Sequence, residues 1–260
     1  MEKGPIVSDT PSRKTQLFLE VFEELPRQGP GRADYTARAL SLCEELGPKA
    51  RILDLGCGVG RQTLDLAKLT KGLIVAVDKH EANIEKLRAV LSEQGLSQRI
   101  TAIAADMLDL EQEPESFDLI WSEGALYNIG MDKALPLCHK LLQANGYLAF
   151  TDAVWQKEDP PREVRKCFED DYPTMGWAED ILAKLQAQGF SSIDHFTLPE
   201  HAWWDDFYTP MVLRIDELRR HYQGDEEALS ILEEIAQEPK IYQRYSDYYA
   251  YEFFVARRVD

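Results

Sequence analysis

Asp54, Asp78 and Asp106 each stand at or just past the end of a short apolar run, Arg51 to Leu55, Leu73 to Val77 and Ile100 to Ala104. Gly56-Cys57-Gly58-Val59-Gly60 follows the first run, and glycines at such a turn let backbone N–H groups approach a ligand closely. A carboxylate at the end of the second run can accept both hydroxyls of a ribose diol. One at the end of the third can accept the exocyclic amine of a purine, while the neighbouring Met107 thioether packs on the ring. A single acid in such a place is most often a helix cap or turn residue. Three at successive strand ends beside a glycine turn point to a nucleoside site. Asp54, two residues before the first glycine, would repel a pyrophosphate, so it suits a cationic ligand. The sixth position counted from Gly56 is Arg61, where the dinucleotide fingerprint requires glycine, and a nicotinamide dehydrogenase is disfavoured.

Those acids need a scaffold that brings strand ends together. Two further apolar runs, Phe117 to Trp121 and Tyr147 to Thr151, continue the series, and segments of helical periodicity over 61–69, 81–94 and 133–142 separate the runs. Strand alternating with helix reads as an α/β fold, a doubly wound parallel sheet with helices on both faces. Right-handed crossovers then place every strand's carboxyl end on one edge, where ligands bind. Beyond Asp152 the pattern predicts helices over 163–168 and 178–188, a sixth strand over 193–198, a largely helical aromatic stretch over 199–246 and a last strand over 249–257. Ahead of the core, a polar arm over 1–14 precedes helices over 15–25 and 34–46, which are split by Gln28-Gly-Pro-Gly-Arg32. Seven of the eleven tyrosines lie after residue 200, either packing that insertion or walling an aromatic pocket.

The 260 residues carry 29 Lys and Arg against 46 Asp and Glu, a net charge of −17, which argues against a nucleic-acid partner. No two of Cys43, Cys57, Cys138 and Cys167 form a CxxC pair, and Cys138-His139 has no matching second pair, so the reading is reduced thiols and no metal. No signal-like apolar segment opens the chain and no apolar run approaches membrane length, so the expectation is a cytoplasmic protein without a membrane partner.

With its strand-end acids and glycine turn, the stretch over 35–155 resembles the class I S-adenosylmethionine-dependent methyltransferases. That resemblance implies a Rossmann-like seven-stranded sheet whose last strand is antiparallel. More narrowly, Trp121-Ser-Glu-Gly-Ala-Leu-Tyr-Asn-Ile-Gly130, Gly29-Pro30-Gly31 and Tyr245-Ser-Asp-Tyr-Tyr249 resemble a group of bacterial methyltransferases acting on small molecules. The resemblance implies that Asp54 and Gly56, Cys57, Gly58 and Gly60 hold the methionine moiety, and that Asp78 with Lys79 beside it holds the ribose. It also assigns Asp106 and Met107 to the adenine, and Ser122 and Glu123 to the sulfonium end. S-adenosyl-L-homocysteine would be the product.

Methyl transfer from a sulfonium is an in-line displacement, so the protein must chiefly orient its reactants in a dry cavity. Glu123, Tyr127, Asp152 and His201 are the candidates for catalytic groups, the first three because they follow the ends of the fourth and fifth strands. The whole chain reads as one methyltransferase domain: N-terminal helices over 1–50 forming part of a lid, a cofactor-binding core over 51–152, and an insertion over 199–246 capping the substrate. A homodimer contact or ordinary packing is the other reading of the Trp203, Trp204, Phe207 and Tyr208 cluster. A nucleic-acid base methyltransferase would carry an Asn or Asp followed by two prolines and an aromatic where this chain has Ser122-Glu-Gly-Ala125. A noncatalytic S-adenosylmethionine-binding protein and a protein methyltransferase are the alternatives.

Overall fold

A computed structural model describes residues 12–169 and 172–259. The polar arm expected for 1–14 lies outside the described residues up to residue 11. Ser12 then caps α1 (Arg13–Phe22) by accepting a hydrogen bond from Thr15 N. There follow α2 (Ala33–Ser41), β1 (Arg51–Leu55), α3 (Arg61–Leu69), β2 (Leu73–Asp78), α4 (Glu81–Glu93), β3 (Ile100–Ala104), β4 (Phe117–Glu123), α5 (Met131–Leu141), β5 (Leu142–Trp155) and α6 (Arg162–Glu169). The chain continues through α7 (Ala178–Ala187), β6 (Phe190–Thr197), α8 (His201–Trp203), a wide π-type turn over Trp204–Tyr208, α9 (Thr209–His221), α10 (Glu226–Ile235), α11 (Gln237–Tyr245) and β7 (Tyr249–Arg258).

The seven strands form one sheet in the order β3-β2-β1-β4-β5-β7-β6. β1 to β5 pair in parallel, and β7 runs antiparallel to both β5 and β6. β1 is central and buried on both faces from Ile52 to Leu55, as a parallel strand with helices on both sides must be. On one face Ile52, Trp121 and Phe253 pack against Ala39 of α2, Leu66 of α3 and Leu87 of α4. On the other, Leu53, Phe150 and Phe254 pack against Leu135 and Cys138 of α5 and Leu185 of α7. A third core joins Phe22 of α1 to Trp203, Tyr208, Met211, Leu232 and Tyr242, and meets the sheet at Ala153 and Tyr249. The insertion and α1 therefore form one layer at the carboxyl edge. Ion pairs Arg13–Asp225 and Lys14–Glu234 fasten α1 to α10 and its cap. No helix among the described residues is long and apolar enough to cross a membrane.

The fifth strand differs most from its expected bounds of 147–151. It begins at Leu142, opposite Phe117 of β4, and runs on to Trp155, because β7 pairs with it as far as Trp155↔Tyr249, well past the last β4 pair at Glu123↔Thr151. Asp152 thus lies inside the strand and beyond the end of its neighbour. β6 likewise starts earlier, at Phe190, where it meets Arg258.

Gly60 caps α3 at φ +84°, and a Cβ there would stand 2.3 Å from Leu87 Cδ1 of α4. Gly60→Ala is expected to destabilise the fold by about 1–3 kcal/mol through forced repacking, read as a lower midpoint in urea unfolding. An unchanged midpoint would contradict this close approach of turn and helix.

Candidate active site

Gly56, Gly58 and Gly60 all hold positive φ, at +71°, +53° and +84°, a region that side-chain-bearing residues rarely occupy. A Cβ on Gly56 would meet Ala125 Cβ at 2.2 Å and approach Met107 Cε at 3.9 Å, so the turn, the chain after β4 and Met107 converge. Cys57 between them is buried, its amide held by Val77 O. Asp78 at the end of β2 accepts Gly58 N on one oxygen at 2.9 Å and His80 N on the other at 2.8 Å. Each oxygen keeps a lone pair for a diol hydroxyl. Lys79 beside it is exposed. Asp106 is exposed and caps the turn Met107–Asp109 by accepting Leu108 N.

Asp54 is fully buried and accepts Thr63 Oγ1 at 2.5 Å and Gln62 Nε2 at 3.4 Å, both from the first turn of α3. Burial pushes its carboxyl up to about 7, against the pull of those two hydrogen bonds. Among the described residues no Lys or Arg forms an ion pair with it, which suits a ligand ammonium. The positive-φ turn, the available lone pairs of Asp78, the Met107 thioether beside Gly56 and this acid together fit S-adenosylmethionine.

Above this edge runs the segment from Leu25 to Arg32, a strap between α1 and α2. Its centre is Arg27, whose guanidinium donates to Glu123 Oε2 at 2.8 Å and to Asp65 Oδ2 at 3.0 Å, with all three side chains about 95% buried. The other Glu123 oxygen accepts Thr36 Oγ1 at 3.0 Å and Trp121 Nε1 at 2.9 Å. Gly31 passes so near that a Cβ would lie 2.8 Å from Glu123 Oε2, which gives the glycine at this position its physical reason. Gln28 reaches the glycine turn, its Oε1 2.5 Å from where a Gly58 Cβ would be, and it bonds Asn83 of α4. Arg27 N donates to Asp206 O and Gly31 N to Ala202 O, so strap and insertion are one roof.

Ser122 is fully buried and its hydroxyl donates to Leu55 O, tying β4 to β1. His201 is exposed, and its Nε2 lies 2.7 Å from the Tyr35 hydroxyl. Both Glu123 oxygens are engaged, and the side chain anchors the strap. Tyr127 is half-buried, its ring 4.9 Å from that of Tyr172, whose hydroxyl donates to Asp152 Oδ2 at 2.7 Å. Arg27, Asp65, Thr36, Gln28, Asn83 and Tyr172 had no signal in sequence spacing, since Arg27 and Glu123 lie 96 positions apart. Thr63 and Gln62 were legible in principle, one turn after the glycines.

Two outcomes follow from these buried charges. Arg27→Met leaves Glu123 without a cation and is expected to cost about 3–5 kcal/mol of stability. Adding Glu123→Gln should recover a large part of the loss in urea unfolding, and strictly additive losses would show that the two are not coupled. The folded-state value of Asp54 lies above its ordinary 3.8, so its contribution favours folding at low pH and is lost as pH rises from about 4 to about 7. Asp54→Asn should flatten the fall in ligand-free stability across that window, and an unchanged slope would contradict the buried state of Asp54.

A family described as "Methyltransferase domain" matches residues 46–212. A sarcosine/dimethylglycine N-methyltransferase of Halorhodospira halochloris is 30% identical over 63% of this chain and 61% of its own. A sterol 24-C-methyltransferase of Clavispora lusitaniae is 23% identical over 63% of this chain and 45% of its own. The chain thus matches less than two thirds of the length of these curated relatives. Among solved structures, an S-adenosylmethionine-dependent methyltransferase from Geobacter sulfurreducens in complex with S-adenosyl-L-homocysteine superposes with a TM-score of 0.80 at 18% identity, covering 96% of this chain and 99% of that one. Its likeness lies in the fold. With the family match spanning more than half of the residues and the acids at the ends of β1, β2 and β3 set around a glycine turn, the chain belongs to the class I S-adenosylmethionine-dependent methyltransferases.

Proposed function

We propose that the protein transfers a methyl group from S-adenosylmethionine to a small-molecule acceptor by in-line displacement. The observation that carries this reading is the convergence of Asp54, the Gly56–Gly60 turn, Asp78 and Met107 on one sheet edge beneath a strap anchored at Glu123. When bound, S-adenosylmethionine supplies an electrophilic methyl on a positively charged sulfur. Asp54 takes the ammonium of the methionine moiety, Asp78 the ribose hydroxyls, and Asp106 with Met107 the adenine. Glu123 places negative charge beneath the strap, near the sulfonium end, and fixes the position of Gly31 and Thr36. The strap and the insertion over 199–246 serve as the lid that excludes water, so that orientation of the reactants does most of the chemistry, a contribution of roughly 7–11 kcal/mol.

The small-molecule class draws support from two relatives that differ in the acceptor atom, one named for nitrogen methylation and one for carbon methylation of a sterol. The test is incubation with methyl-labelled S-adenosylmethionine and a fractionated cell extract, with Asp78→Ala as control. Label in the small-molecule fraction, lost in the control, is expected. Label in protein or nucleic acid would overturn the acceptor class, and cofactor binding without transfer to any fraction would favour a noncatalytic binding protein.

A further inference from the structure

Two of the buried carboxylates at the carboxyl edge of the sheet, Asp54 and Asp152, form no ion pair with a Lys or Arg among the described residues. The others each have a cationic or histidine partner: Asp65 and Glu123 share Arg27, and Glu252 pairs with His195. The methyl-donor reading assigns Asp54 to the donor's ammonium and leaves Asp152 unused.

Asp152 is fully buried; one of its oxygens accepts Ala153 N and the other the Tyr172 hydroxyl. It lies one residue beyond the last β4–β5 pair, Glu123↔Thr151, at the carboxyl edge of the sheet. The Tyr172 that donates to it lies against a second ring, that of Tyr127, tilted by 30° at 4.9 Å. Tyr251, opposite Ala153 on β7, brings its hydroxyl within 3.2 Å of where a Gly124 Cβ would stand. Trp203 meets Tyr251 edge-on at 5.1 Å. Thr151 Oγ1 and Trp203 Nε1 are buried at this same edge without a hydrogen-bond partner. A carboxylate walled by aromatic faces is a setting for a cation, which gains roughly 2 kcal/mol or more from a ring when desolvated.

We infer that Asp152, backed by Tyr172 and with Tyr127 and Tyr251 nearby, holds the methyl acceptor, and that this acceptor is a small amine bound as its ammonium: the ammonium proton passes to the Asp152 carboxylate, and the freed nitrogen lone pair then takes the methyl as the sulfonium leaves as the neutral thioether of S-adenosylhomocysteine. The inference rests on the methyl-transfer reading and selects nitrogen among the acceptor atoms. Asp152 is suited to the part in a way that Glu123 is not, because Glu123 already has Arg27. Burial pushes the Asp152 carboxyl up to about 7, with the Tyr172 hydrogen bond and the more distant Lys184 ammonium pulling it down. Burial also raises the hydroxyls of Tyr172 and Tyr251 above their ordinary 10, so neither loses its proton near neutrality. Asp152 is then the group whose ionisation governs cation binding there.

Tetramethylammonium, a fixed cation, and neopentyl alcohol, its neutral counterpart in shape, are titrated calorimetrically into full-length protein saturated with S-adenosylhomocysteine. The cation is expected to bind roughly tenfold or more tightly than the alcohol. That preference should strengthen from pH 6 to pH 8 and vanish in Asp152→Asn. Tyr172→Phe, which keeps the carboxylate and the ring, should bind the cation and shift the midpoint of the pH dependence upward. Equal binding of the two probes, or full cation affinity in Asp152→Asn, would overturn the inference. Saturation with S-adenosylhomocysteine is measured first in every variant: its loss in the wild type would count against the methyl-transfer reading itself, and its retention in the variants shows that they fold.

Discussion

The bridge from Arg27 to Glu123 and Asp65 is the constraint on which the site depends. Three charged side chains are withdrawn from water where β4, α3 and the strap meet. Desolvation makes such a cluster costly, and its net contribution to stability is small compared with the penalty for removing one member. What it supplies is position. With Glu123 holding Arg27, Gly31 must run past the same carboxylate, Thr36 must face it from α2, and Gln28 must cover the glycine turn. The roof of the site is therefore set by a polar contact at the end of a central strand, while the bulk of the roof, α1 and α8 to α11, is held by apolar and aromatic packing.

Charge is distributed in a way that matches a cationic chemistry. The chain carries a net −17, and the carboxyl edge gathers Asp54, Asp78, Asp106, Glu123 and Asp152. Those that already have a cation or a pair of amide donors define the frame. Asp54 and Asp152 are buried with hydroxyl, amide or backbone N–H donors alone, and burial pushes both up to about 7. A methyl donor is itself a cation, and a low-dielectric edge lined by such acids strengthens every interaction with it.

The first half of the sheet was legible in the sequence because β1, β2 and β3 are short apolar runs with an acid or glycine at or within two residues of their ends, and those signals are local. Arg51 to Leu55 and Ile100 to Ala104 agree with the structure residue for residue, and Arg61 to Leu69 does so among the helices. The fifth strand was read short because its extension depends on β7, about 100 positions away, whose pairing no local pattern announces. The same physics limits the site. Asp54, Asp78 and Met107 advertise themselves by their place near the end of a strand, whereas Arg27 and Tyr172 acquire meaning only through partners distant in sequence. Ser122 and His201 also occupy suggestive positions, and their partners, Leu55 O and the Tyr35 hydroxyl, are likewise distant in sequence.

The most direct measurement is amide hydrogen exchange over residues 25–32, with and without S-adenosylhomocysteine, in the wild type and in Glu123→Gln. A strap docked through Arg27 and covering the cofactor edge predicts slow exchange at Arg27 and Gly31, whose N–H groups donate to Asp206 O and Ala202 O. It also predicts further slowing on ligand binding and a selective acceleration in Glu123→Gln that leaves β1 and β4 protected. Fast exchange across the strap in the wild type, unaffected by ligand or by the substitution, would contradict the account.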